Sequence, residues 1–198
     1  MAKVSLQDIQ KLRTMTGLGM LDCKKALEES TGDIEKAVEI LRKRGVALAG
    51  KRADKDALQG LVYAYIHPGD QTGVLVEVNC ETDFVARNDS MRDFAKDLAM
   101  HIAAVKPKYI APEDVEASFL EKEKEIAKAQ LAEQGKPANM IEKIVDGKMK
   151  KIYNDVCLLK QPFVKNDKKS IEEIIQELSA KTGEKVQVKR FSLFEVGQ

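Results

Sequence analysis

The sequence offers little for several kinds of chemistry: three cysteines, two histidines and a formal net charge of +1 in 198 residues. Cys23, Cys80 and Cys157 are widely spaced, odd in number and form no C-x-x-C pair. A disulfide framework is not indicated, and reduced thiols of a cytoplasmic protein are the expectation. Neither His67 nor His101 stands at metal-ligand spacing with Cys or Asp. No apolar run is long enough to cross a bilayer, and Met1 to Asp8 holds no secretion h-region, so no membrane is expected as a partner. The 33 basic residues nearly cancel the 32 acidic ones. Direct nucleic-acid binders usually carry a strongly basic face or tail, so that balance argues against nucleic acid. No Walker sequence, G-x-G-x-x-G or G-x-S-x-G occurs. Gly17 and Gly19 have no strand before them and read as turn residues. Carboxylates are scattered through helical stretches without a distinct acid pair. Neither enzyme activity nor a cofactor is expected.

What remains is a helix-rich, well-solvated chain: 43% hydrophobic and 33% charged. Residues 1–45 read as a three-helix module. Ser5-Leu6-Gln7-Asp8 resembles a capping box, and Leu6, Ile9, Leu12 and Met15 follow at helical spacing. Met20, Cys23, Ala26 and Leu27 form a second stripe; Asp33 caps a third helix, and Gly45 is the natural residue to end it. Residues 46–57 lose the stripe and gain charge, as a partly helical linker between mobile parts would. Residues 58–198 read as an α+β core. A hairpin is expected from Leu61–His67 and Val74–Val78, and a helix from about 89 to Pro107. A projecting helical hairpin is inserted at about 113–152, broken at Gly135-Lys136-Pro137. A strand at Gln161 to Val164, a helix from Ser170 and a last strand, Val186 to Val196, complete the core. Alternation slips in that last strand.

The most informative run is Val78-Asn79-Cys80-Glu81-Thr82-Asp83-Phe84-Val85. Val74, Val76, Val78 and Cys80 alternate as a half-buried strand, and an acid beside a large aromatic then precedes a helix start. Capping by Asp83 and core packing by Phe84 are the ordinary readings, and contact with a partner is the sharper one. Asn88, Asp89 and Ser90 already offer caps for the next helix, which leaves Asp83 spare. Met20 and Leu21 are adjacent, so both cannot face a helix core. One of them beside Lys24 and Lys25 suits a docking patch, while Leu12 reads as core. For His101 a hydrogen-bonded, partly buried position competes with a partner-facing one.

Two runs together resemble the translation elongation factor Ts family: Leu12 to Leu27, and Glu77 to Arg87. His101 to Pro107, Gly135-Lys136-Pro137, Gln161 to Val164 and Phe194 to Gly197 extend the resemblance over essentially the whole chain. It implies an exchange factor that binds elongation factor Tu and speeds release of GDP. It implies a ubiquitin-associated-like head that docks on the GTPase domain through Leu12, Arg13, Met20, Leu21 and Lys24, with His101 also approaching. Thr82, Asp83, Phe84 and Val85 match the element that dislodges Mg²⁺. The chain resembles the short form, with one core half where longer members have two. A second copy would supply the missing half, so a homodimer is expected, with Val186 to Val196 in its interface. The alternative is a nucleic-acid or ribosome-associated protein using Lys24-Lys25, Arg42-Lys43-Arg44, Lys148 to Lys151 and Lys165 to Lys169. An adaptor for ubiquitin-like folds would not need the Thr82–Val85 run.

Overall fold

A computed structural model describes residues 4–134 and 137–197. Gly135 and Lys136, where the helical hairpin is expected to break, lie outside the described residues. Helices and a small antiparallel sheet make an α+β architecture. Helices α1 (Leu6–Thr16), α2 (Met20–Glu29) and α3 (Ile34–Lys51) come first. Ser5 Oγ accepts the Asp8 amide at 3.1 Å and starts α1. Gly17, at φ 68°, closes α1 by donating its amide to Arg13 O. Asp33 Oδ1 accepts the Lys36 amide at 3.1 Å and starts α3; that bond holds the Asp33 carboxyl below its usual range. Ile9, Leu12, Cys23, Ala26, Leu27, Ala37 and Leu41 form the core between these helices.

Leu6 and Met15, expected on the buried stripe, are 69% and 60% exposed. Each step of three residues turns the stripe back by about 60°, so Leu6 and Met15 end on opposite sides of the Ile9–Leu12 face. Gly45 does not end α3, which runs on to Lys51. A Cβ at Gly45 would sit 3.0 Å from Ala180 Cβ on α8 (Ile171–Thr182), so the glycine permits close helix packing there. An Arg42–Glu173 ion pair joins the same two helices. The expected linker at 46–57 is therefore helical to Lys51 and tied beyond it. Lys185 Nζ donates to Ala53 O at 2.6 Å and Lys55 O at 3.0 Å. Asn79 Nδ2 donates to Ala57 O at 3.2 Å, and Ala57 is buried. The charged side chains suggested a solvated linker, but the backbone carbonyls make the attachments.

Strands β1 (Gln59–Ile66), β2 (Thr72–Cys80) and β5 (Gln187–Glu195) pair in the order β1-β2-β5. The slip in β5 falls at Lys189 and Arg190, consecutive residues that are both exposed. Short helix α4 (Asp83–Ala86) and long helix α5 (Asp89–Val105) follow β2. Helices α6 (Ala117–Glu133) and α7 (Ala138–Val156) pack through Ala127, Leu131, Val145 and Met149. Strand β3 (Pro162–Phe163) pairs antiparallel with β4 (Asn166–Ser170). The sequence of β4, Asn-Asp-Lys-Lys-Ser, has no apolar alternation, so nothing in its pattern announced a strand.

Contacts divide the chain into two units. The first holds the chain through Tyr63, Val76–Ala95 and Glu173–Lys189; the second holds Ala64–Leu75, Lys96–Glu172 and the chain from Arg190. Among the described residues, no helix is long and apolar enough to cross a membrane.

Candidate functional site

Strand β2 buries Val74, Val76, Val78 and Cys80, as its alternation requires. The chain then turns at Glu81 and enters α4. Thr82 is the N-cap, with extended backbone and an Oγ1 that accepts the Val85 amide at 3.4 Å. Asn88 has the equivalent place before α5, where its Oδ1 accepts the Ser90 amide at 2.9 Å. Asp83 caps neither helix. Its carboxylate pairs with Arg87 at 3.2 Å, four residues on, with both side chains substantially exposed. Such a pair contributes about 0.5 kcal/mol or less and is readily exchanged for another donor. Phe84 is 84% exposed, which excludes the core-packing reading. Burying such a ring is worth roughly 2 kcal/mol, and this fold leaves that gain unused.

The turn beneath the exposed ring is tightly held. Glu184 Oε2 accepts the amides of Glu81 and Thr82 at 3.1 and 3.0 Å, and its Oε1 accepts the Thr82 hydroxyl at 2.6 Å. Glu81 accepts Arg52 Nη1 at both oxygens, at 2.8 and 2.6 Å, and the Lys185 amide at 2.6 Å. The Lys185 amide bond chiefly, with Arg52, holds the Glu81 carboxyl below its usual range. Cys80 Sγ donates to Thr82 O at 3.2 Å. Burial chiefly, with the nearby Glu184 charge, pushes the Cys80 thiol up, so it stays protonated and serves as a donor.

The first unit also carries the residues matched to docking. Leu21 is 72% exposed, Arg13 is exposed, and Lys24 pairs with Glu28 at 3.8 Å on the surface. Of the adjacent Met20 and Leu21, Leu21 is the outward one, while Met20 packs partly against the module core. Leu12 is fully buried and acts on any docking surface only by shaping it. Leu6 and Met15 add exposed apolar area that the stripe reading missed.

His101 belongs to the second unit and is fully buried. Its Nδ1 accepts the Val164 amide at 3.3 Å, so Nε2 carries the proton and donates to Gln161 Oε1 at 2.9 Å. Gln161 in turn donates to Asp155 O at 2.9 Å. Burial holds the imidazole below its ordinary value of 6.5, with the Gln161 bond opposing. The unfolded chain therefore takes up a proton that the folded chain refuses. Stability is full above pH 6.5 and falls as pH drops from there through the folded value. Urea unfolding at successive pH values should reveal that slope, and His101→Gln should flatten it.

Among the described residues, no cluster of three or more His, Cys, Asp or Glu stands where it could hold a metal ion. The chemistry on offer is contact: an aromatic probe and a loosely paired acid on a braced turn. Both side chains are accessible to another molecule without disturbing the core.

Comparison with known proteins supplies the family. The family model described as Elongation factor TS matches residues 2–198. Elongation factor Ts of Desulforamulus reducens is 52% identical over 198 residues, covering all of this chain and 91% of that protein. Elongation factor Ts of Thermotoga neapolitana is 53% identical over 196 residues, covering 99% of this chain and 98% of that protein. The Carboxydothermus hydrogenoformans protein is 51% identical, covering 98% and 90% respectively. The chain belongs to the elongation factor Ts family.

Proposed function

We propose that the Thr82–Val85 tip is the working element with which this chain, as a member of its family, exchanges guanine nucleotide on elongation factor Tu. The observation that carries this reading is the 84% exposed Phe84 on a turn braced from behind. A ring left in water by its own fold is available to a partner's apolar pocket. Asp83, held only by a surface pair, can exchange Arg87 for a donor on that partner. GDP is gripped by Mg²⁺ and by a backbone cradle around its phosphates. A wedge that shifts one wall of that site loosens ion and cradle together. The factor then needs only to bind the nucleotide-free partner better than the GDP form, and linkage makes the antagonism mutual.

The three N-terminal helices act as a ubiquitin-associated-like docking head, with Arg13, Leu21 and Lys24 on its surface and Leu12 beneath. The reaction takes place in the cytoplasm. Release of a fluorescent GDP from elongation factor Tu, with and without this protein, is the direct test. Acceleration is expected, and an unchanged off-rate would sink the reading.

Two copies of the chain form the working unit. Ile66, Leu75, Phe194 and Val196 are 61%, 45%, 66% and 73% exposed. Val74 and Val76 point into the core, so Leu75 faces away from it; Ile66 approaches the Cβ position of Gly73 at 3.1 Å, on that same outer side. A second copy would cover this apolar area. Sedimentation at micromolar concentration should give a dimer, and a monomer would refute the pairing. Several cations of the basic clusters already have partners: Arg42 with Glu173, Arg44 with Glu29 and Lys165 with Asp97. That pairing favours a protein partner over nucleic acid. Salt-sensitive RNA binding would favour the alternative.

A further inference from the structure

The exposed tip rests on a helix too short to hold itself. Helix α4 has four residues, barely one turn, and an isolated helix needs roughly 12 to 15 residues before it persists in water. Its shape must therefore come from outside. The bonds that supply it converge on one side chain from another part of the sequence. Glu184 follows Gly183 in the turn after α8, and its carboxylate takes both amides entering α4 and the Thr82 hydroxyl. The Thr82 hydroxyl in turn accepts the Val85 amide. Glu184 thus fixes the rotamer of the residue that caps the tip. Glu184 is itself part of a braced loop, since the next residue, Lys185, is bound through its amide to Glu81 and through Nζ to Ala53 O and Lys55 O.

We propose that Glu184 is the positioning residue of the exchange tip: it contributes no partner contact of its own, and by clamping Glu81 and Thr82 it holds α4 in the one geometry that presents Asp83 and Phe84. The proposal rests on the tip being the exchange element. A rigid tip delivers its side chains without an ordering cost at the moment of binding, whereas a frayed one meets that cost in every encounter. Removing the clamp should therefore lower the maximal rate of GDP release while leaving docking by the N-terminal helices intact.

The experiment compares wild type, Glu184→Ala and Glu184→Gln in two measurements. In fluorescent-GDP release from elongation factor Tu, Glu184→Ala should lower the rate at saturating factor by about tenfold and change the half-saturating concentration by less than about threefold. Glu184→Gln keeps an acceptor for the two amides and should recover a large part of that loss. In hydrogen exchange on the free protein, the Ala86 and Arg87 amides should exchange faster in Glu184→Ala. Their acceptors are Thr82 O and Asp83 O, not Glu184, so only loosening of α4 as a whole moves them. Unchanged exchange at Ala86 and Arg87 overturns the positioning role whatever the partner does. Wild-type release by Glu184→Ala overturns it too. If wild type fails to accelerate release, the function reading falls and so does the exchange half of this proposal; the Ala86 and Arg87 amides then decide whether the clamp exists at all.

Discussion

Phe84→Ala should slow stimulated GDP release by roughly thirtyfold, the effect of losing an interface anchor worth about 2 kcal/mol. The same substitution should leave the free protein's stability within about 0.5 kcal/mol of wild type, because the ring is 84% exposed. Adding Asp83→Ala should slow release further but by less, since that carboxylate must first give up Arg87. Release assays beside urea unfolding curves check both halves. A variant that loses stability and activity together would mean that Phe84 packs inside the fold in solution. A variant that loses neither would move the exchange element away from the tip.

Leu12→Ala should have the largest effect on stability, about 3 kcal/mol against the N-terminal helices. Leu12 is fully buried in the core shared by the three N-terminal helices, so its truncation leaves a cavity among Ile9, Leu27 and Leu41. Loss of docking would follow from unfolding of the head. Leu21→Ala makes the useful contrast. Leu21 is 72% exposed, so stability should stay within about 0.5 kcal/mol while the half-saturating concentration for exchange rises about tenfold. Circular dichroism during denaturation, paired with a titration against elongation factor Tu, separates the two. Equal losses of stability in both variants would contradict the buried and exposed assignments.

Much of this was legible in the residues. The α1 start at Ser5, the turn at Gly17, the Asp33 cap and the β1–β2 hairpin each depend on interactions within a few positions, and local chemistry announces them. The exposure of Phe84 was not legible. A strand followed by an aromatic looks the same whether the ring turns in or out, and only the finished fold decides. Gly45 misled for a related reason. A glycine near a helix end reads as a terminator, yet here it makes room for Ala180, far along the chain. Glu184 follows Gly183 in the turn after α8, and nothing in its immediate sequence marks its task. Nothing in the sequence connects that carboxylate with Thr82, because pairing across such a distance leaves no periodic trace. The bonds of the stretch from Arg52 to Ala57 were hidden likewise: its side chains are those of a linker, while carbonyls of Ala53, Lys55 and Ala57 accept hydrogen bonds.

The clamp also bears on how the protein is made. Thr82 emerges from the ribosome 102 residues before Glu184, the side chain that sets its geometry. Chains fold largely from the N-terminus during synthesis, so the docking helices can form early while the tip still has no brace. If the N-terminal helices dock and the tip drives exchange, as proposed, a nascent chain stalled before Gly183 would have the first element without the second. On that reading, activity would wait until the turn after α8 that carries Glu184 had been made.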